Sequence, residues 1–202
     1  MSSIQAGARL PAWSKIVVFL SLSGILGSIA AITYVSLETR RMAELAPNPK
    51  YVAALAKKIV ELPEPLPEGF EYQVGMDMNF LRLVSLINRK AMQQYTIYDF
   101  PGTTNQKARK FTEDAYAYGM NTPSVVGKFT ELIKDGSWQL LGREMPYMLG
   151  KIRTPEGFER QGLVACTINA KGHAFLFYAV QVNDQKFDMA PSMELIKSIK
   201  SF

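Results

Sequence analysis

The sequence predicts an α+β fold, one N-terminal transmembrane helix followed by an antiparallel-sheet domain with helices packed on it, and three observations predict it. Residues 16–37 carry no charge. From residue 69 onward, short runs rich in β-branched and aromatic residues dominate. The turns between those runs are too short for the crossovers that parallel strands need. A chain of 202 residues has room for one such domain plus an appendage. The expected boundaries are a short tail over 1–15, a transmembrane helix over 16–37, an amphipathic helix and proline-rich lead-in over 38–68, and a soluble α+β domain over 69–202.

The first element is the membrane segment. Ile16 to Leu37 makes 22 uncharged residues between Lys15 and Glu38. As a helix this is about 33 Å long, enough for a hydrocarbon core about 30 Å thick. Trp13, Lys15, Tyr34, Arg40 and Arg41 sit at or near its ends, where amphipathic rings and cations favour the headgroup region. A cleaved leader has an apolar core of only about 7–15 residues, so the segment reads as an uncleaved anchor. Inside it, Ser23, Gly27 and Ala31 recur every four residues, and Gly24 with Ser28 forms a parallel row. Small rows of this kind let two helix backbones approach closely in lipid, which predicts packing against an integral membrane partner. Cations flank the segment on both sides, so they do not fix its orientation.

Asn48-Pro49 then sets an N-cap and a first helical position, and Val52, Leu55, Ile59 and Leu62 recur at helical spacing over 49–61. Lys50, Lys57 and Lys58 lie off that apolar row, facing lipid headgroups or water. Pro63, Pro65 and Pro67 exclude helix and favour a stiff extended lead-in. Three strands are expected in GFEYQVGMDMNF, LRLVSLINR and AMQQYTIYDF, with a turn over 88–90. Residues 104–118 place Ala108, Phe111, Ala115 and Tyr118 on one helical face, and Gly119 suits its C-terminal end. A short helix is expected over 123–134. SWQLLGR, PYMLGKIRT, QGLVACTINA and HAFLFYAVQV read as four further strands, and SMELIKSIKSF as a terminal helix with Leu195, Ile199 and Phe202 on one face.

The stretches LPEGFEYQVGMDMNF, YTIYDFPG and FDMAPSMELIKSIK, placed after an anchor and an amphipathic helix, resemble small bacterial membrane-anchored proteins whose soluble domain is a PsbP/Mog1/DcrB-like α/β sandwich. The resemblance covers roughly 48–202. It implies a non-enzymatic domain, exported to the periplasmic side of the bacterial inner membrane and attached to a larger membrane assembly, of which a respiratory or photosynthetic complex is a natural example. It transfers no catalytic residue.

The residues themselves offer little chemistry. A single cysteine, Cys166, excludes an internal disulfide, and a single histidine, His173, excludes a multi-histidine metal site. No phosphate loop, dinucleotide-binding turn, G-x-S-x-G elbow, H-E-x-x-H or C-x-x-C occurs. His173 at a strand start, Cys166 in an apolar strand, and Asp77, Asp99, Glu144 and Glu113-Asp114 as carboxylates all read as structural or solvated groups. The net charge of +5 is spread along the chain with no basic-aromatic stripe, which excludes nucleic acid as the expected partner. No catalytic, cofactor or metal site is expected. AYAYGM and FLFY concentrate aromatics, so Tyr116, Tyr118, Phe175 and Phe177 are candidates for an apolar groove or a partner patch. The expected function is an accessory or scaffolding subunit; the alternative is a membrane-tethered binder of a small apolar ligand or lipid.

Overall fold

Asn48 opens the helix that precedes the sheet. Its side-chain oxygen accepts from the backbone N–H groups of Lys50 (3.0 Å) and Tyr51 (3.4 Å), and Pro49 fills the first helical position, where no N–H is needed. The computed structural model describes residues 41, 44–78, 80–101, 128–153 and 157–202. The expected transmembrane helix over 16–37 and helix over 104–118 lie outside them. Among the described residues no helix is long and apolar enough to cross a membrane.

Helix α1 (Pro49–Ile59) buries Val52, Leu55, Ala56 and Ile59, one face at helical spacing. Seven strands follow: β1 (Phe70–Met78), β2 (Leu81–Asn88), β3 (Gln93–Phe100), β4 (Lys128–Leu140), β5 (Arg143–Arg153), β6 (Glu159–Ile168) and β7 (Ala174–Gln181). Helix α2 (Met189–Lys197) closes the order, with the Asp188 side chain accepting from the Ala190 N–H at 2.9 Å. Among the described residues the fold is thus α+β: one antiparallel sheet ordered β1-β2-β3-β7-β6-β5-β4, with α1 and α2 packed on it.

That order joins two meanders. Strands β1–β3 follow one another through connections of a few residues, as do β4–β7, and the two sets meet along β3 and β7, from Gln93↔Gln181 to Phe100↔Ala174. Alternation along this seam divides the core. Tyr95, Ile97, Phe175 and Phe177 pack with the buried residues of α1 and with Leu195 and Ile196 of α2. Tyr98, Leu176 and Tyr178 point to the opposite face, which is also buried, with Phe129, Met148, Ile152 and Val164. A sheet apolar on both faces explains why these strands read as near-continuous apolar runs.

The two edges differ. On β1 the Gly75 N–H donates to the Ala46 carbonyl at 2.9 Å, and α1 lies close above it, with Leu55 Cδ2 only 3.2 Å from where a Gly75 Cβ would stand. On β4, residues 131–137 are all exposed. Register shifts at Phe129/Glu131 and Leu132/Lys134 mark bulges in its pairing with β5. There the Glu131 carbonyl comes so close to Gly150 that a Cβ would sit 2.2 Å from it.

Two expectations need correction. Residues 128–134 are not helical but begin β4. The two register shifts break the two-residue alternation of the strand, and the consecutive apolar pair Leu132-Ile133 at the second of them then imitates part of a helical face. The terminal helix is shifted towards the N-terminus and ends at Lys197, where the Ser198 hydroxyl donates to the Leu195 carbonyl at 2.7 Å. Residues 200–202 are extended instead. The Glu61 N–H donates to Ser201 O (2.7 Å) and the Lys200 N–H to Glu61 O (2.9 Å), which carries Phe202 into the core against Phe175.

Candidate functional site

The strongest gathering of polar chemistry lies where β1 ends, β2 begins, β3 ends and the β6–β7 turn passes. Asp77, Arg82 and Asp99 are direct cross-strand partners on adjacent strands. Arg82 donates from Nε to Asp77 (3.0 Å) and reaches Asp99 Oδ2 at 3.5 Å, while Lys58 of α1 donates to Asp77 at 3.3 Å. Asp99 shares the core-facing parity of Tyr95 and Ile97 and is fully buried. Its Oδ1 accepts from Asn169 Nδ2 and stands 3.0 Å from His173 Nδ1. The Asn169 side chain also accepts from the backbone N–H groups of Lys171 and His173, so one amide shapes the β6–β7 turn and holds it to β3. Lys171 Nζ donates to the Lys58 carbonyl (3.0 Å), tying the same turn to the end of α1.

A carboxylate aligning an imidazole is half of a catalytic triad, but the described partners of His173 include no nucleophile. The lone thiol does not serve. Cys166 is buried on β6, pairs with Leu176 and not with the Asp99 row, and burial pushes its thiol up to about 11. Among the described residues no group of three His, Cys, Asp or Glu side chains converges as a metal site. Every polar atom of the Asp99 cluster named above is engaged by another residue of the chain, and the arrangement pins strands.

The other end of the seam carries a neutral counterpart. Gln93 donates to the side chain of Gln181 (3.1 Å) and to the carbonyl of Asp188 (2.9 Å), and accepts the Tyr95 hydroxyl. Burial raises the Tyr95 phenol far above its ordinary range. Gln181 also donates to Ala91 O (3.0 Å) and Asn183 Oδ1 (2.7 Å).

Two surface clefts lie on that side of the domain. One of about 430 Å³ is lined by Lys151, Arg160, Gln161, Asn183 and Asp184 among others, and one of about 330 Å³ by Glu68, Lys90, Asp188 and Glu194 among others. Both are open, and each contains an ion pair, Arg160–Asp184 in the first and Lys90–Glu68 in the second.

The residues singled out in the sequence fall unevenly. Ser23, Gly24, Gly27, Ser28 and Ala31, with Trp13, Lys15, Tyr34 and Arg40, lie outside the described residues, as do Tyr116 and Tyr118; Arg41 is helical and exposed. Phe175 and Phe177 are fully buried, against Phe202 and against Tyr95 and Trp138, so they fill the core and line no groove among the described residues. Asp77, Asp99 and His173, read singly in the sequence, come together. Arg82, Asn169 and Lys58 were not singled out for this role; the legible signal was a charge at core parity, Asp99 two residues after Ile97.

No family model matches the chain, and no curated protein does. The fold is similar to the solution structure of cyanobacterial PsbP from Synechocystis, at 13% identity and a TM-score of 0.36, over 67% of this chain and 84% of that one.

Proposed function

We propose that the chain is a non-catalytic, single-pass protein of the bacterial inner membrane. It acts as an accessory or scaffolding subunit of a larger membrane complex, with its sheet domain on the periplasmic side. The observation that carries this reading is the inward investment of polar groups: the clusters around Asp99 and Gln93 bond to one another and to backbone, holding the sheet and both helices in place. The sequence supports the membrane part through the uncharged run 16–37 and its rows of small residues, Ser23, Gly27 and Ala31 beside Gly24 and Ser28. A respiratory or photosynthetic assembly fits such a subunit. The reading as a binder of a small apolar ligand gains nothing from Phe175 and Phe177, which are buried.

The test is a mild-detergent pull-down of the tagged full chain from native membranes, beside Gly24→Ile/Gly27→Ile. Bulky side chains there block close helix contact while leaving insertion intact. One large particle that co-purifies with the original and not with the variant is expected. A chain that runs alone in both forms overturns the subunit reading.

A further inference from the structure

The two hairpins at the edges of the sheet end at the same end of it, and each projects one large apolar side chain into solvent. The two residues between Met78 and Leu81 include Phe80, 65% exposed; the two between Leu140 and Arg143 include Leu141, 52% exposed. Leu141 stands at φ +51° and Gly142 at +77°, a pair of positive φ values that hairpin turns normally assign to Asn-Gly. A leucine there strains the backbone and packs against little, so neither turn chemistry nor folding explains it. With β3, β7 and β6 between the two hairpins, the tips stand about five strand spacings apart, roughly 24 Å at about 4.8 Å each.

The charges beside the tips differ from those at the opposite end. There, Arg89, Lys90, Arg153 and Arg160 each face a carboxylate. At the tip end, Asp77 is matched by Arg82 and Lys58, but Arg143 and Lys171 donate to backbone carbonyls, of Ile168 (3.1 Å) and Lys58 (3.0 Å). A carbonyl carries no full charge, and among the described residues neither cation has a carboxylate within ion-pair distance. Glu144 beside Arg143 and Glu61 near the β6–β7 turn are exposed carboxylates on the same side.

We infer that this end of the domain rests on an anionic lipid surface: Phe80 and Leu141 enter the headgroup boundary as two separate feet, and Arg143 and Lys171 meet lipid phosphates between them. Single apolar prongs far apart suit a broad soft surface better than a protein pocket, which concentrates its anchors centrally. The inference rests on the membrane-anchored reading above, though it stands or falls by a separate measurement.

The full chain, with Cys166→Ala, is reconstituted into vesicles of phosphatidylcholine alone or mixed with phosphatidylglycerol. A spin label is placed at Phe80→Cys, Leu141→Cys or Phe158→Cys, the last at the opposite end. Collision with a water-soluble nickel chelate should fall several-fold at 80 and 141 in the anionic vesicles and stay high at 158. Leu141→Asn should restore most of the collision at 80 while raising the melting temperature by a few degrees, since it relieves the turn; loss of contact then cannot be loss of fold. Equal collision at all three positions overturns the inference, and so does shielding that appears in native membranes but not in lipid vesicles, which would mark a protein partner. Alkaline carbonate extraction of the same vesicles tests the anchor separately. A chain that resists extraction with unshielded tips sinks this inference alone, whereas an extractable chain sinks the anchored reading whatever the tips do.

Discussion

The two ends of the β3–β7 seam solve one problem with different chemistry. At one end a buried carboxylate, Asp99, gathers Arg82, Asn169 and His173; at the other two buried amides, Gln93 and Gln181, bond each other. Each also docks one helix. The charged cluster reaches α1 through Lys58 and Lys171, and the amide cluster reaches the start of α2 through the Asp188 carbonyl. Buried polar groups discriminate against wrong arrangements more surely than they add stability, because a slipped register leaves them unpaired. A one-residue slip along this seam would put Asp99 and Gln93 on the opposite apolar face. The amide end can fail gracefully. The charged end cannot.

Substitution breaks that comparison most directly at Asp99. Asp99→Ala strands an amide and an imidazole and leaves Arg82 to Asp77 alone, and should cost about 3–5 kcal/mol in chemical denaturation. Amide exchange should quicken first at the C-terminal end of α1 and in the β6–β7 turn. A cost below about 1 kcal/mol would mean that these groups reach water, and that the cluster is not the pin described. Gln93→Leu should be milder, about 1–3 kcal/mol, since it orphans neutral groups, and the exchange it quickens should lie at the start of α2. If both variants loosen the same helix, the two ends are not independent.

Cys166 supplies a smaller effect that sharpens the comparison by belonging to neither end. Its thiol is raised in the fold to about 11 against an ordinary 9.0. The neutral form is the one folding favours, so the contribution is fully present below about pH 9 and is lost as pH rises towards 11. At pH 10 the loss is about 1.4 kcal/mol. The difference in stability between the original chain and Cys166→Ala should therefore shift by that amount between pH 8 and pH 10. The same shift should appear in the Asp99→Ala and Gln93→Leu backgrounds. A pH-independent difference would mean that the thiol reaches solvent in the fold.

Much of this architecture was legible in the sequence. The N-cap at Asn48, the face of α1, the turn after Asn88 and seven strands follow from residue spacing, because tight turns and amphipathic faces are local. The start of β4 was not, since its bulges answer to the neighbouring strand and to Gly150 rather than to its own residues. The polar pairings were legible only in part. Asp77, Asp99 and His173 could be named as groups with chemistry, but pairing them required knowing that β7 lies beside β3, a neighbour relation that residue spacing does not contain. Arg82 was not singled out for the same reason. Phe175 and Phe177 misled in the opposite direction. An aromatic alternation looks the same whether it faces a groove or a core, and only the packing of α1, α2 and Phe202 decides.

The strand order has a consequence in time. Each meander closes through turns of a few residues and can form quickly, but the sheet is whole only when β7 finds β3, and Gln93 and Gln181 are 88 residues apart in sequence. Such distant encounters, not the hairpins, set the pace of folding. Until they meet, each half exposes a raw edge of apolar strand, the kind of surface on which chains aggregate. Asp99 and Gln93 lie on those two edges' future seam, so they also act in that interval: a trial encounter out of register buries them without partners and comes apart.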